Sequence, residues 1–375
     1  MVRRLGSLLI AFACVAVLAA CEGPAGPAGT AGIAGPAGPT GPIGPAGLDA
    51  NENCTQCHVD DVSLFVKQVQ YSASVHRNGG NFRRGSSASC SACHASQGFV
   101  ERMATGAPPV AGFDDPAPIN CRTCHMIHDT YTSADFAFRT TAPVTPNTSF
   151  LGTTLDFGAE GGNLCGECHA GRTLSPVPVI DGADVTPTSS RYGWHHNPQG
   201  VVLLGIGAFE FTGSATINGG PNTHGTLASN PKSCVTCHMA TARGDEAGGH
   251  TWNMSYGVEG AEGNNTAGCE TCHTAGLDSF DDHPFGGSPP QTEILGLMIQ
   301  LETELVRIGI KQGMTPGYGI HDLETYINQN VAYPANVAAA YANWNLFAED
   351  RSLGIHNPSY ARAVLTNSIE VALTY

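Results

Sequence analysis

Basic residues are scarce in this 375-residue chain: 17 Lys and Arg stand against 32 Asp and Glu, a net charge of −15. That deficit excludes a protein that tracks nucleic-acid phosphates. Charge of either sign is thin, at 13% of residues against about 25% in an average soluble protein. Aromatic residues make up only 7%. The longest apolar run, Leu5 to Ala20, has 16 residues, short of the about 20 that span a bilayer. No repeat of fixed period runs through the chain, which excludes a solenoid. What it has instead is 47 Gly, 24 Pro and 14 Cys. Such a composition suits a loop-rich chain with few long elements, one that side-chain packing alone would struggle to order.

The first 20 residues read as an export signal, with Arg3 and Arg4 before the apolar run. The run ends in Leu18-Ala19-Ala20-Cys21, which resembles the lipobox of bacterial lipoproteins. That resemblance implies cleavage before Cys21 and a lipid on its thiol, anchoring the chain to a membrane. Glu22 follows where Asp would signal retention at the inner membrane, so an outer-membrane or cell-surface location is expected. Cys14 lies within the signal and leaves with it. Loss of Arg3 and Arg4 leaves 15 basic against 32 acidic residues, a charge of −17, suited to basic or metal-ion partners.

From Gly23 to Asp49 glycine recurs at every third position, with Pro24, Pro27, Pro36, Pro39, Pro42 and Pro45 each following one. Only Gly fits the axis of a collagen triple helix, so one reading is a short trimeric stalk. The other is a semi-rigid extended linker. Either way residues 21–50 form a collagen-like tether, whose Gly-x-y stretch from Gly23 to Asp49 reaches roughly 80 Å at about 3.1 Å per residue.

Twelve of the cysteines fall in six copies of Cys-x-x-Cys-His: Cys54, Cys57, His58; Cys90, Cys93, His94; Cys121, Cys124, His125; Cys165, Cys168, His169; Cys234, Cys237, His238; and Cys269, Cys272, His273. This is the attachment pattern of c-type haem: two thiols bond the porphyrin vinyl groups and the adjacent imidazole lands beneath the iron. At this composition chance yields about 0.02 copies. Disulfides do not explain a His after every second Cys, and zinc sites would need the motifs to combine in twos. Setting aside Cys14 and Cys21, two cysteines remain for each of six covalent haems and none is spare.

From about Asn53 onward the chain resembles a multihaem c-type cytochrome. The phrases Trp194-His195-His196-Asn197-Pro198-Gln199, Cys234-Val235-Thr236-Cys237-His238-Met239, Gly248-Gly249-His250-Thr251 and Gly354-Ile355-His356-Asn357-Pro358 also resemble the surface-exposed multihaem cytochromes of metal-respiring bacteria. That resemblance implies extracellular electron transfer, with other redox proteins or extracellular acceptors as partners. Similar phrases occur in multihaem nitrite and hydroxylamine reductases, so a reductase with one open haem is the alternative. Pentahaem nitrite reductases use a Lys-ending motif at the catalytic haem. Here the only lysines are Lys67, Lys232 and Lys311, none beside a Cys-x-x-Cys pair. A third reading is a wire whose subunits associate into oligomers or filaments.

The sixth ligand separates carrier from catalyst: a second His suits electron transfer, while an open face admits substrate. Nine histidines remain outside the motifs, more than the six needed. His76, His128, His195, His196, His224, His250 and His356 are the candidates; His283 and His321 have the least support. His128, three residues beyond His125, cannot reach the far face of that haem and is expected to ligate a neighbour. At least one of His195 and His196 is expected to ligate. Met126 and Met239 follow motif histidines directly and sit on the proximal side.

The expected fold is mostly irregular, with short α-helices at the motifs, little β-structure, and haems in place of a core. A multihaem domain spans 51–290 and a helical segment, 291–375, packs on the haems. In that segment Ile294, Leu297, Met298, Leu301, Leu305 and Ile308 follow helical spacing. A second helix is expected from Pro334 to Asp350. A third starts at Asn357-Pro358, a favoured cap and first position, and reaches about Leu373.

Overall fold

A computed structural model describes residues 62–145, 154–172, 174–257, 262–274, 276–282, 287–315 and 327–375. The signal, Cys21, the Gly-x-y tether, the first motif (Cys54, Cys57, His58), His283 and His321 lie outside the described residues. The described residues belong to one unit.

The architecture is helical and irregular. α1 (Val62–Ala73) runs into the short α2 (Val75–Asn78), and a 3₁₀ segment, Gly80–Ser86, leads to α3 (Ala88–His94) and α4 (Ser96–Thr105). The motifs themselves supply α5 (Cys121–Cys124), α6 (Gly162–His169) and α8 (Cys234–His238), with α7 (Gln199–Leu203) between the last two. The one sheet among the described residues pairs β1 (Ser255–Tyr256) antiparallel with β2 (Gly263–Asn264). Three longer helices close the chain: α9 (Pro290–Ile308), α10 (Ala335–Asp350) and α11 (Pro358–Ala372).

The long helices follow their sequence cues. α9 buries Ile294, Met298, Leu301 and Leu305 on one stripe, and Gly309, at φ 89°, ends it in the left-handed region that glycine enters without cost. Asn357 caps α11 by accepting from the Tyr360 N–H at 3.3 Å. Pro334 stands just before α10 in extended conformation (ψ 138°), so that helix begins one residue later than its proline suggests. α10 has no solvent face: 15 of its 16 residues are buried. Alanines at 338, 339, 340 and 342 let neighbours approach closely. The amide of Asn343, which it carries inward, is satisfied. Asn343 accepts from Phe209 N and donates to Phe209 O, both at 2.7 Å. Asn367 on α11 holds Phe211 O and Ala215 N in the same way.

One apolar cluster joins Val144–Phe211 to α9–α11, with Phe157, Trp194, Phe209, Tyr341 and Trp344 among its members. Packing is distributed unevenly. Between 62 and 143 the buried apolar side chains are Ala95 and Phe99, and between 212 and 282 Ala247 is the one. Among the described residues no helix is long and apolar enough to cross a membrane.

Candidate functional site

Each described motif is wound into a helical turn. In α3, α5, α6 and α8 the two cysteines stand three apart on one face, and in the last motif His273 N bonds Cys269 O at 2.7 Å to form the same turn. That spacing presents both thiols to one planar partner. None of the ten described motif cysteines is in a disulfide. α5 owes its start to a capping box, with Asn120 and Thr123 satisfying each other's backbone N–H. In α6, a Cβ on Gly166 would come within 2.4 Å of the Phe157 ring, so the position between Cys165 and Glu167 must stay bare.

The five described motif histidines each face one histidine from elsewhere in the chain. His94 meets His195 with ring centres 6.1 Å apart, His125 meets His250 at 6.5 Å, and His169 meets His76 at 6.2 Å. His238 meets His356 at 6.2 Å and His273 meets His224 at 6.2 Å. An iron–nitrogen bond of about 2 Å on each side, plus about 1.1 Å from each nitrogen to its ring centre, places two imidazoles sharing one metal about 6.2 Å apart. The residues therefore fit a haem iron between each pair. Among the described residues no three or more His, Cys, Asp or Glu side chains gather around a bare ion. The imidazoles meet in twos, which suits haem, because the porphyrin supplies the other four nitrogens.

The pairs differ in ring orientation. His169 with His76 crosses at 84°, His273 with His224 at 74° and His94 with His195 at 70°. His125 with His250 and His238 with His356 lie closer to parallel, at 32° and 37°.

Second partners fix these rings. Nδ1 of His125 contacts Phe136 O at 2.7 Å, that of His238 Trp252 O at 3.0 Å and that of His224 Ile355 O at 2.9 Å. Carbonyl partners require the proton on Nδ1 and leave Nε2 to ligate. His169 Nδ1 meets Gln199 Oε1 at 3.0 Å, and His356 Nδ1 meets the buried carboxylate of Asp350 at 2.6 Å. Burial pushes His76, His195, His238 and His250 down to about 4, so they are neutral at pH 7, the form that binds metal. Burial also lowers His94, His169 and His224. For His356 burial acts the same way, but Asp350 outweighs it and the imidazole is raised.

His195 and His196 have separate fates. Trp194 N bonds Asn345 Oδ1 at 2.5 Å and His195 N bonds Arg172 O at 3.2 Å, which aims His195 at His94. His196 turns outward, 56% exposed, with Nδ1 at 2.6 Å from Glu349. His128 is exposed, at φ 67°, and stacks on Tyr131 at 5.6 Å; its ring is not set opposite His125, His94, His169, His238 or His273 in the manner of the five pairs. The pairs also lie close together. The thiols of Cys93 and Cys168 lie beside each other, as do those of Cys165 and Cys234. A Cβ on Gly268 would come within 2.8 Å of Cys237 Cα, so the last two motifs touch through backbone.

Two participants carry no sequence signal: Asp350, at the end of a buried helix, and Trp252, which touches three of the pairs. A solved structure, the outer cell wall cytochrome OcwA, is similar to this chain with a TM-score of 0.46 and 16% identity, covering 82% of this chain. The match takes in 50% of that protein, so the chain spans about half its length. No protein-family model and no curated protein matches.

Proposed function

We propose that the chain is an exported hexahaem c-type cytochrome that conducts electrons among bis-histidine haems to an extracellular acceptor or a partner cytochrome. The observation that carries this reading is the set of five facing imidazole pairs, each joining a Cys-x-x-Cys-His motif to a distant histidine. Haem held by two histidines supplies one-electron chemistry with no open face for substrate. The chain's part is to tether, orient and crowd: thiols attach from one helical turn, imidazoles approach from both faces, and carbonyls and Asp350 hold the rings. Close spacing of the motifs suits transfer from site to site. The anchor at Cys21 and the Gly-x-y tether hold this assembly away from the membrane.

The test is the spin state of the iron. Oxidised protein is expected to contain six haems per chain, all low-spin. A high-spin fraction near one sixth, with turnover of nitrite or hydroxylamine, would favour the reductase reading, which now concerns the His58 motif. His195→Ala is expected to convert one low-spin haem, and His196→Ala none; equal spectra for the two variants would undo the assignment.

The anchor is tested separately. Cys21→Ser is expected to release the protein from membranes with its haem content unchanged, and a variant that stays bound, with no acylation of the wild type by mass spectrometry, would refute the lipid.

A further inference from the structure

Trp252 occupies a backbone conformation that a side chain of its size rarely adopts, φ 57° and ψ 1°. Such a conformation is strained for a residue with a Cβ and persists only where the surroundings impose it. The surroundings here are a 3₁₀ turn, Gly249–Thr251, bound from several sides. Thr251 Oγ1 donates to Gly248 O at 2.7 Å and accepts from Asn253 N at 3.1 Å. Gly249 N bonds Ala240 O at 3.0 Å, beside the fifth motif. Gln70, buried on α1, accepts from His250 N at 3.0 Å and donates to Gly244 O at 3.1 Å.

The product of this scaffold is one indole in contact with two ligand pairs and one carbonyl in contact with a third. The Trp252 ring meets His76 edge-on at 4.7 Å and 82°. The same ring meets His250 at 5.6 Å and 64°. Its carbonyl accepts from His238 Nδ1 at 3.0 Å. His76 faces His169, His250 faces His125 and His238 faces His356, so three of the five described pairs meet at this residue.

We propose that Trp252 is a positioning residue that locks the imidazole planes of two neighbouring haem sites against each other and fixes the tautomer of a third. The proposal rests on the haem reading above. Rotation of either His76 or His250 about its side-chain bonds drives the ring into the indole, so the steep pair and the near-parallel pair hold their orientations jointly. The third contact is made by the backbone and is independent of the side chain. That asymmetry makes the proposal sharp.

The experiment uses the full-length protein carrying its haems, with Trp252→Ala, Trp252→Leu and Trp252→Phe. Haem content is counted first, then low-spin signals are recorded by electron paramagnetic resonance, whose shape follows the angle between axial imidazoles. Trp252→Ala is expected to retain six haems and to move signals integrating to two of six irons, one from the steeply crossed class and one from the near-parallel class. Trp252→Phe, which keeps an aromatic face, is expected to restore both. Unchanged signals in Trp252→Ala overturn the proposal, as does movement of one signal alone. If Trp252→Ala does not acquire six haems, the other two variants decide: native signals with Phe and moved signals with Leu support it, and native signals with both overturn it. Wild-type protein without haem would refute the haem reading instead, before Trp252 is altered.

Discussion

Residues 62–143 and residues 290–372 are stretches of similar length with opposite interiors. The second wraps α9 and α11 around α10, a helix buried on every side, in a core of ordinary side chains. The first holds its short helical segments in place with Ala95 and Phe99 as its buried hydrophobic residues. Hydrogen bonds at caps and turns set local shape, but their net contribution is only about 1 kcal/mol each and does not replace a core. The difference shows where this chain expects help. One region is ordered by its own packing; the other, on the function proposed above, presents thiols and imidazoles to haems that would serve as its interior.

The comparison breaks most readily if the haems are withheld. Protein exported without haem attachment is expected to lose amide protection through α1–α5 and α8, while α9–α11 and the 194–211 segment packed on them stay protected. Hydrogen exchange read by mass spectrometry checks this, and equal loss in both regions would mean that α10 also depends on haem. Next in size is Trp344→Ala. Its ring is fully buried against Tyr341 and beneath the Lys311 ammonium, 4.9 Å from it, so truncation is expected to cost about 3–5 kcal/mol. Denaturant unfolding measures that cost. Haem content and low-spin spectra should be unchanged in native buffer if the two regions are separable. The smallest effect is on a single site. Asp350→Asn keeps the shape but removes the charge beside His356, making that imidazole a weaker donor to iron. One of six reduction potentials is expected to rise in a spectroelectrochemical titration, with stability little altered.

The sequence showed the parts of this site more clearly than their arrangement. Helical spacing announced α9, and Asn357-Pro358 announced α11, because both signals are local. Each motif was legible for the same reason. The pairings were not, since the partners stand 49 to 125 residues apart and no short-range pattern links them. His195 and His196 are neighbours in sequence, and the bonds that separate them come from Arg172, Asn345 and Glu349, remote in the chain. Trp252 was hidden further, because its role depends on a left-handed backbone that a tryptophan does not advertise. The shared core of 144–211 with the last helices was also unannounced, as its apolar residues are scattered among glycines and prolines.

The dipeptide Ile355-His356 closes the account with a matter of timing. The carbonyl of Ile355 orients His224, and the ring of His356 faces His238, so two sites draw on consecutive residues just before the final helix. A chain is made and exported from its N-terminus, and these two residues follow all six motifs. The thiols of the fifth motif emerge well before the imidazole that faces His238, and those of the sixth before the carbonyl that orients His224. On the haem reading proposed above, maturation at the fifth motif would run in two stages, attachment first and closure of the far face last. A chain truncated before Ile355 would carry its full complement of pigment, with the iron at His238 still waiting and His224 deprived of its orienting carbonyl.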